Sequence, residues 1–370
     1  MQRRTFLKSA ATAGAAGSIA AGLAAPAIAQ GRLEWRMVTA WPKNSPGLGT
    51  GAELLAQLIT RASEGRLTIR VFGGGELVPP FEALDAVASG TVEMGHGSPF
   101  YWKGRTPAIQ LLTTFPFGLL AHEQNAWYQY GDGQKLADEI YRQIGCKFFP
   151  AGNTGPQMGG WFNREIVSLD DFKGLKMRIP GLGGDVVSAA GGDVVNLPGA
   201  EIPSALQSGE IDAAEWIGPY NDLLFGLYKN ARYYYYPGWH EPGSSLDCFI
   251  NAAAWDRLSP ELKAIVEQAT TAVNQLVLSE FNARNGSSLQ LLLQDHGVEL
   301  RRFPDPVLQA LGKLTGDVLS DLAGRDPQSR TLLNSLLKFR TEQISWTGLG
   351  SLSFTEARGL PYPFVQPGNG

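Results

Sequence analysis

The sequence predicts an α/β protein whose two similar lobes face each other across a cleft. The first supporting observation is a strand–helix–strand succession, with strands at 33–40 and 67–72 and a helix with one apolar face at 50–62. Strands that are joined through a helix pair in parallel, as α/β folds require. The second observation is an internal repeat, which indicates that this kind of unit occurs twice.

The repeat relates residues 79–95 to residues 198–214 at a constant offset of 119 positions. The first copy reads PPFEALDAVASGTVEMG and the second reads PGAEIPSALQSGEIDAA, so each contains a helix that ends at Ser-Gly and a strand that follows at once. The alternative is coincidence, because this succession is common in α/β proteins. Both copies also follow a strand with a glycine-rich exit, which favours equivalent units in two lobes. Small-molecule sites occur preferentially at such interfaces between domains.

The other elements are assigned to the two lobes in chain order. An amphipathic helix is predicted at 123–144, a strand at 146–151 and a return strand at 246–251. The predicted organisation is a targeting segment at 1–29, the first part of lobe I at 30–152, the first part of lobe II at 153–242, the return to lobe I with a long helix at 243–300, C-terminal helices at 301–345, and a tail at 346–370 packed on a surface.

The long helix is the element expected to brace both lobes. Ser259 is placed to cap it and Pro260 occupies its first position. Its apolar residues recur at helical spacing far beyond Phe281, and Gly286 predicts a kink or break. Two further helices are predicted at 306–323 and 329–345.

Composition and charge exclude several classes of function. The chain has 370 residues, of which 44% are hydrophobic and 18% charged, as is typical of a globular protein with a sizeable core. The net charge is −4, and residues 1–29 contribute +3 to it, so the remainder carries −7. An acidic chain without a Lys/Arg run is a poor candidate for binding nucleic acid or an anionic membrane. Binding of an anionic ligand would need a local positive group.

Residues 1–29 read as a targeting segment for export to a periplasm. Arg3 and Arg4 begin the run RRTFLK, which resembles a twin-arginine (Tat) signal, with Gln2 in place of the usual serine. An Ala/Gly-rich stretch follows, and Ala27-Ile28-Ala29 fits a small-x-small cleavage site. The alternative is a membrane anchor, which the glycines, alanines and Pro26 argue against.

The two cysteines are predicted to be buried thiols. Cys146 and Cys248 both lie in apolar, strand-like runs. An export compartment would also permit a disulfide between them, and sequence alone does not give the distance between their Cα atoms.

No enzyme motif is present in the sequence. A Walker loop, G-x-S-x-G, H-E-x-x-H and C-x-x-C are all absent, and Gly47, Gly49 and Gly51 do not have the spacing of a dinucleotide fingerprint. The four histidines, His96, His122, His240 and His296, are scattered without ligand spacing, and each is expected to be structural or exposed. The absence of these motifs does not exclude an enzyme, but it leaves no nucleophile to name; the prediction that the protein is not an enzyme rests on the family resemblance given below. The alternative from another class is a periplasmic enzyme that acts on a carboxylate.

Arg178 is the most informative single residue. Residues 168–174 predict a capped helical turn that ends at glycine, and residues 176–179 predict a short strand stopped by Pro180. An arginine at the end of a strand points its guanidinium into the cleft beyond that strand. This group is planar and always charged, and its N–H donors match the two oxygens of a carboxylate. The alternative is a surface arginine paired with a neighbouring aspartate, Asp170 or Asp171.

The run GLKMRIP at 174–180, which follows a short helix and precedes a glycine-rich turn, resembles the solute-binding proteins of TRAP transporters, of the DctP type. The resemblance extends over nearly the whole mature chain. It implies a periplasmic-binding-protein fold whose two lobes close on a ligand, delivery of that ligand to a membrane permease, and no covalent chemistry. It also implies that the arginine at this place, Arg178, clamps the carboxylate of the ligand.

The sequence resembles most the subgroup that binds 2-oxo acids such as pyruvate together with sodium. This resemblance implies that Gln157 and Arg178 contact the substrate. It implies that Glu215, Trp216 through its main chain, and Glu241 hold the ion. Weaker substrate-binding candidates are Asn153, Tyr101 and Asn221. A related subgroup binds lactate with calcium, so Ca²⁺ is the alternative to Na⁺, and a C4-dicarboxylate is a further alternative ligand.

The residue types in these stretches are consistent with a cation. Two carboxylates, Glu215 and Glu241, beside one arginine would repel an anionic ligand. A hard cation takes carboxylate, amide and carbonyl oxygens and bridges to a ligand carboxylate. The alternative is that both glutamates lie on the solvated surface.

A homodimer is also predicted, because the resembling subgroup pairs through its C-terminal helical region. Residues 329–370 carry apolar side chains beyond what the lobes need, among them Leu332, Leu336, Phe339 and Trp346. The alternative is that these residues pack on their own chain.

Overall fold

Two separate β-sheets, each flanked by helices, form the framework of the protein in the computed structural model, which describes residues 31–362. The strands are β1 (Leu33–Thr39), β2 (Leu67–Phe72), β3 (Met94–Gly97), β4 (Cys146–Asn153), β5 (Gly160–Phe162), β6 (Lys176–Arg178), β7 (Asp193–Val195), β8 (Ala213–Ala214), β9 (Tyr233–Tyr236), β10 (Ser245–Asn251) and β11 (Glu299–Arg302). The helices are α1 (Gly49–Ala62), α2 (Ala83–Ala88), α3 (Ala121–Tyr130), α4 (Gly133–Ile144), α5 (Gly181–Ala189), α6 (Ile202–Ser208), α7 (Pro219–Phe225), α8 (Ala252–Asp256), α9 (Pro260–Gln294), α10 (Asp305–Arg325), α11 (Pro327–Thr347) and α12 (Ser353–Arg358). The predicted targeting segment, 1–29, and residues 363–370 of the predicted tail lie outside the described residues.

The first sheet has the strand order β2-β1-β3-β10-β4 and belongs to lobe I. In it, β1 pairs in parallel with both β2 and β3, as the strand–helix–strand pattern predicts, and the return strand β10 lies antiparallel between β3 and β4. The second sheet has the order β11-β9-β5-β8-β6-β7 and belongs to lobe II. The chain therefore crosses from lobe I to lobe II between β4 and β5 and returns between β9 and β10.

The two copies of the repeat occupy equivalent places in the two sheets. The first copy supplies α2 and β3, and the second supplies α6 and β8. β3 pairs in parallel with β1, and β8 pairs in parallel with β6. Gly90 and Gly209 follow the two helices with φ of 77° and 74°, a left-handed conformation that glycine adopts without a steric cost. Each copy thus delivers a strand, and the residues just after it, to one side of the cleft.

The long helix α9 packs on both lobes. It begins as predicted, with the Ser259 side chain accepting a hydrogen bond from the Leu262 N–H at 3.3 Å. It lies against β4 and α1 of lobe I and against α7 of lobe II. No break occurs at Gly286, because α9 continues to Gln294. The neighbouring Asn285 accepts a hydrogen bond from the Tyr220 N–H at 3.1 Å, and such tertiary contacts outweigh the roughly 1 kcal/mol that glycine costs in a helix.

The single helix predicted at 123–144 is wrong, because the structure divides this segment into α3 and α4. The division falls at Gly131, which is extended, with φ −103° and ψ −154°. A Cβ at Gly131 would lie 2.8 Å from the Trp127 carbonyl oxygen, so the turn requires glycine. The break allows both Trp127 and Tyr141 to be buried in one apolar cluster of lobe I.

The prediction that the tail packs on a surface is wrong for its described part. A π-helical turn at Gly348–Leu352 follows α11 and leads into α12. Large apolar side chains in this region are exposed, with 68% of Trp346 and 76% of Leu349 accessible to solvent. Because the helical path simply continues α11, these side chains have no core of their own chain to enter.

Two further features concern the cysteines and the character of the helices. Cys146 and Cys248 are both buried and free, as predicted. Within residues 31–362, no helix has the length and apolar character needed to cross a membrane.

Candidate functional site

A small cavity lies between the two lobes and contains most of the predicted site residues. It is lined by Trp41, Leu48, Ser98, Phe100, Tyr101, Thr154, Gln157, Arg178, Glu215, Trp216, Ile217, Glu241, Ser244 and Leu246. Its free volume is about 20 Å³, which is room for one water molecule, so the lobes are closed around it. A larger groove of about 900 Å³ runs along α1 and β2, but it is open and its cationic side chains, Lys43 and Arg70, are exposed. The interlobe cavity is therefore the better candidate for a specific site.

Arg178 reaches the cavity through its local sequence. Ser168 and Asp171 form a capping box on the turn that precedes β6, and Gly174 leaves that turn with φ of 62°. β6 then places Arg178 beside Val195 of β7 and Ala214 of β8. The predicted turn and strand are both present.

The Arg178 side chain is 1% exposed, so the alternative of a surface arginine is wrong. Its Nε donates to the Leu197 carbonyl at 3.1 Å, and its Nη1 donates to the Glu215 carbonyl at 3.0 Å and to the Glu215 carboxylate. Its Nη2 lies 3.4 Å from the Tyr101 hydroxyl, which is a weak hydrogen bond. The guanidinium also stands 5.3 Å from the Trp216 ring centroid. A guanidinium has five N–H donors, so Nη2 keeps capacity for a further acceptor.

Glu215 and Glu241 are both buried in the cavity wall, so the alternative of a solvated surface is wrong. Glu215 follows β8 and pairs with Arg178 through one carboxylate oxygen, while its Oε2 lies 3.3 Å from His240 Nε2. Glu241 accepts a hydrogen bond from Gln157 Nε2 at 2.8 Å. Burial, and then the nearby charge of Glu215, raise the pKa of Glu241 to about 7. The site thus concentrates negative charge that one arginine does not balance.

The donor atoms fit a metal ion. Glu215, His240 and Glu241 each offer one ligand atom, and these atoms lie within 4.8 Å of one another. Gln157 Oε1 is buried and has no hydrogen-bond partner among residues 31–362. A buried amide oxygen without a partner beside two carboxylates is a set of oxygen donors that Na⁺ or Ca²⁺ prefers. Gln157, Glu215 and Glu241 would hold such an ion.

A family model for DctP, the bacterial extracellular solute-binding proteins of family 7, matches residues 37–324. The chain belongs to this family. A monocarboxylate 2-oxoacid-binding periplasmic protein of Nostoc sp. (strain PCC 7120) is 44% identical over 322 residues, which cover 87% of this chain and 88% of the relative. The sequence-based prediction of the family is confirmed.

Solved structures of TRAP periplasmic solute-binding proteins are similar over most of the chain. One, from Pseudoalteromonas atlantica T6c, contains bound sodium and pyruvate; it has a TM-score of 0.86 and 38% identity, over 88% of this chain and 99% of that one. One from Colwellia psychrerythraea, with bound calcium and pyruvate, gives the same four values. A third, from Bordetella bronchiseptica RB50, is a mixed-occupancy dimer with calcium and picolinate bound; it has a TM-score of 0.87 and 36% identity, over 89% and 97% of the chains. The two-lobed α/β fold is therefore confirmed, and the chain is a periplasmic solute-binding protein of the TRAP type.

The structure of this solute-binding protein separates the weaker candidates. Tyr101 lines the cavity beside Arg178. Asn153 and Asn221 are buried but are not among the lining residues. Asn153 accepts from the Gly155 N–H at 2.9 Å and donates to Gln124 at 3.2 Å, which orients the segment between the lobes.

Trp216 lies in the cavity wall with its ring buried against Arg178. A Cβ at Gly199 would come within 2.2 Å of this ring, so only glycine leaves room for it. Gly199 belongs to the second copy of the repeat, which therefore shapes the wall as well as delivering Glu215.

Sequence reasoning missed His240 as a part of the site. It was expected to be structural or exposed, and it is buried beside Glu215. Its position directly before Glu241 is the signal that was available in the sequence. Trp41, Thr154 and Ser244 were also missed, since each reaches the cavity only through the packing of the lobes.

Proposed function

We propose that this protein binds a small 2-oxo monocarboxylate, such as pyruvate, together with a metal ion, and delivers it to the membrane subunits of a TRAP transporter. The observation that carries the proposal is the buried Arg178, which faces a cavity that also holds two buried carboxylates and the unpartnered Gln157 oxygen. The ligands named for the similar proteins support the same chemistry. Na⁺ is the proposed ion and Ca²⁺ the alternative.

Arg178 acts as the carboxylate clamp in this proposal. Its Nε and Nη1 are committed to Leu197 and Glu215, while Nη2 has, within residues 31–362, only the weak contact with Tyr101. A ligand carboxylate that approaches Nη2 of Arg178 accepts a charge-assisted hydrogen bond in a buried site. In this proposal the Tyr101 hydroxyl donates to another ligand oxygen, and the bonds of Arg178 to main-chain carbonyls keep its guanidinium oriented. Both amide N–H groups of Gln157 donate to Thr154 and Glu241, so Gln157 acts on the ligand through the ion that its oxygen holds.

The ion resolves the charge imbalance of the site. When both are ionised, Glu215 and Glu241 exceed the charge of Arg178, and an anionic ligand adds a further negative charge. A cation held by Glu215, Glu241, Gln157 and the main chain of Trp216 neutralises this excess and offers the ligand oxygens a direct partner. Ligand and ion then stabilise each other in the closed protein.

The size and walls of the cavity favour a short ligand. Trp41, Leu48, Phe100 and Leu246 supply apolar surface around the small free volume. A C4-dicarboxylate would place its second carboxylate in apolar surroundings, because its first carboxylate already engages Arg178 and the ion. Lactate differs from pyruvate only at the second carbon, so a lactate and calcium pair is the nearest alternative.

A screen of ligands and ions tests this function. We expect small 2-oxo acids to raise the melting temperature of the mature protein in buffers that contain Na⁺ or Ca²⁺, because a ligand that binds only the native state stabilises it by mass action. Differential scanning fluorimetry with 2-oxo, 2-hydroxy and dicarboxylic acids, each with and without Na⁺ and Ca²⁺, measures this. Mass spectrometry of the recovered ligand separates a receptor from an enzyme that acts on a carboxylate. Stabilisation by dicarboxylates alone, or chemical conversion of the ligand, would refute the proposal.

We also propose that the protein forms a homodimer through its C-terminal helices. Exposed apolar side chains follow one another from α11 to the end of the described chain, namely Ile344, Trp346, Leu349, Leu352, Phe354, Leu360 and Tyr362. A mostly apolar groove of about 490 Å³ between α10 and α11, lined in part by Phe117 and Leu308, is large enough to receive such side chains. Contiguous exposed apolar surface of this kind is typical of a protein–protein interface.

The dimer is tested by mass in solution. We expect light scattering to give twice the chain mass at micromolar concentration, and the double variant Trp346→Glu/Leu349→Glu to give the monomer mass, because the added charges would be buried in the interface. The variant Tyr130→Glu is the matched control, since Tyr130 is 90% exposed on lobe I. A monomer mass for the unaltered protein would exclude this proposal.

For export we propose that Arg3 and Arg4 act as a twin-arginine signal.

A further inference from the structure

Lobe I carries a buried tryptophan–histidine pair at the place where lobe II carries the pair Arg178 and Glu215. His96 and Glu215 are separated by the same offset of 119 positions that defines the repeat. His96 lies in β3, opposite Thr39 of β1, and Trp41 follows that strand. Glu215 follows β8, whose partner strand β6 ends at Arg178. The two pairs therefore lie at corresponding strands of the two sheets, and Trp41, but not His96, lines the cavity from the side of lobe I.

The hydrogen bonds of His96 determine which ring nitrogen carries the proton. Trp41 Nε1 lies 2.8 Å from His96 Nδ1, and His96 Nε2 lies 3.1 Å from the Ala151 carbonyl oxygen. An indole N–H only donates and a carbonyl oxygen only accepts, so Nδ1 accepts and Nε2 donates. Burial lowers the pKa of His96 to about 4, which agrees with a neutral ring. Both of its nitrogens are thus used to hold the end of β1 against β4.

This arrangement fixes the indole of Trp41 in the cavity wall. The main-chain oxygen of Trp41 accepts hydrogen bonds from the Thr39 hydroxyl at 2.9 Å and from the Gly74 N–H at 2.7 Å. Its ring lies 5.9 Å from the ring of Tyr101, measured between centroids, and the Tyr101 hydroxyl contacts Arg178. The indole therefore lies between His96, which accepts its N–H, and Tyr101, which contacts the carboxylate clamp.

We propose that His96 is a positioning residue that holds Trp41 as the apolar wall limiting the length of the ligand. The inference rests on the proposed function, because it concerns which 2-oxo acid fits beside Arg178. Trp41 lines the cavity, and its ring would limit the length of the side chain that fits beside Arg178 when a ligand is bound. Without an acceptor at Nδ1, the buried indole N–H is left unsatisfied, and the ring turns toward another acceptor and opens the wall.

The test compares His96→Leu with the conservative variant His96→Asn, whose side-chain oxygen lies close to the place of Nδ1 and keeps the acceptor. Isothermal titration calorimetry with pyruvate, 2-oxobutanoate and 4-methyl-2-oxopentanoate measures the selectivity. We expect the ratio of pyruvate affinity to that of the longest acid to fall by about tenfold or more in His96→Leu, the discrimination that a methylene-sized pocket provides. We expect His96→Asn to retain most of the ratio of the unaltered protein. An equal loss for all three acids, or an unchanged ratio, would overturn the proposal.

A second experiment measures the same selectivity in Trp41→Phe, which removes the indole N–H and keeps an apolar ring. Adding His96→Leu to Trp41→Phe should not change the selectivity further, because the two residues act through one hydrogen bond. A full additional effect would contradict the coupling. If His96→Leu fails to fold, Trp41→Phe carries the test alone, and unchanged selectivity in it overturns the proposal.

A spectroscopic readout separates this inference from the proposed function. The indole N–H of Trp41 gives an NMR resonance whose shift and slow hydrogen exchange report its hydrogen bond in the ligand-free protein. We expect this signature to be lost in His96→Leu and kept in His96→Asn. If the unaltered protein binds none of the acids, the proposed ligand class is wrong, while the NMR comparison still decides whether His96 positions Trp41. An unchanged resonance in His96→Leu would refute the positioning role.

Discussion

Arg178→Lys is expected to lower the affinity for the carboxylate ligand by at least about 30-fold, the effect of losing 2 kcal/mol or more from a buried charge pair. Lysine keeps the positive charge but has one nitrogen in place of the guanidinium. It cannot hold Leu197 and Glu215 while it also offers a donor to the ligand. Calorimetry with the ligand identified by the screen, in the presence of the ion, measures the loss.

The matched control for this substitution is Arg36→Lys. Arg36 is an exposed arginine of β1 that pairs with Glu93, far from the cavity lining. We expect its affinity for the ligand to equal that of the unaltered protein, because exposed pairs contribute little. Circular dichroism of Arg178→Lys checks that the fold survives. A folded Arg178→Lys protein with the original affinity would remove Arg178 from the site.

Glu215→Gln and Glu241→Gln are expected to weaken ion and ligand binding together. Each substitution removes one anionic oxygen donor from the proposed ion site while it keeps the size of the side chain. Since the bound ion and the bound ligand stabilise each other, loss of one lowers the affinity for the other by the same factor, typically about 5-fold to 150-fold. Metal-stripped, unaltered protein in a buffer with choline in place of sodium should show the same loss.

The experiment titrates the ligand into each protein at several concentrations of NaCl or of CaCl₂. The ion that restores tight binding at the lower concentration is the ion the site selects. Glu261→Gln serves as the control, because Glu261 is exposed and pairs with Arg66 at 2.7 Å on the protein surface. If both site variants and the metal-stripped protein bind the ligand as tightly as the untreated protein, the glutamates do not hold an ion.

Much of the fold was predictable because it depends on residues that are close in the sequence. Apolar periodicity located β1, α1 and β2, and their succession implied parallel pairing. The repeat located two equivalent units. The cap at Ser259 and the turn before Arg178 were visible as local patterns for the same reason.

The incorrect predictions arose where distant contacts outweigh local preference. Gly286 does not interrupt α9, since the packing of α7 against that helix supports it. Gly131 divides α3 from α4, although the apolar pattern runs through both, because Trp127 and Tyr141 enter one core. The residues after α11 form exposed helical turns instead of a packed tail.

The sequence by itself determined that this chain belongs among two-lobed solute-binding proteins, and it identified Arg178 as the strongest candidate for the carboxylate clamp. Only the tertiary structure decided that Glu215 is the partner of Arg178 and that His240 stands beside both glutamates. Only it placed Trp41 in the same cavity, with His96 bonded behind it. The physical reason is that these side chains leave strands far apart in the sequence, and sheet pairing together with lobe closure sets the distances between them.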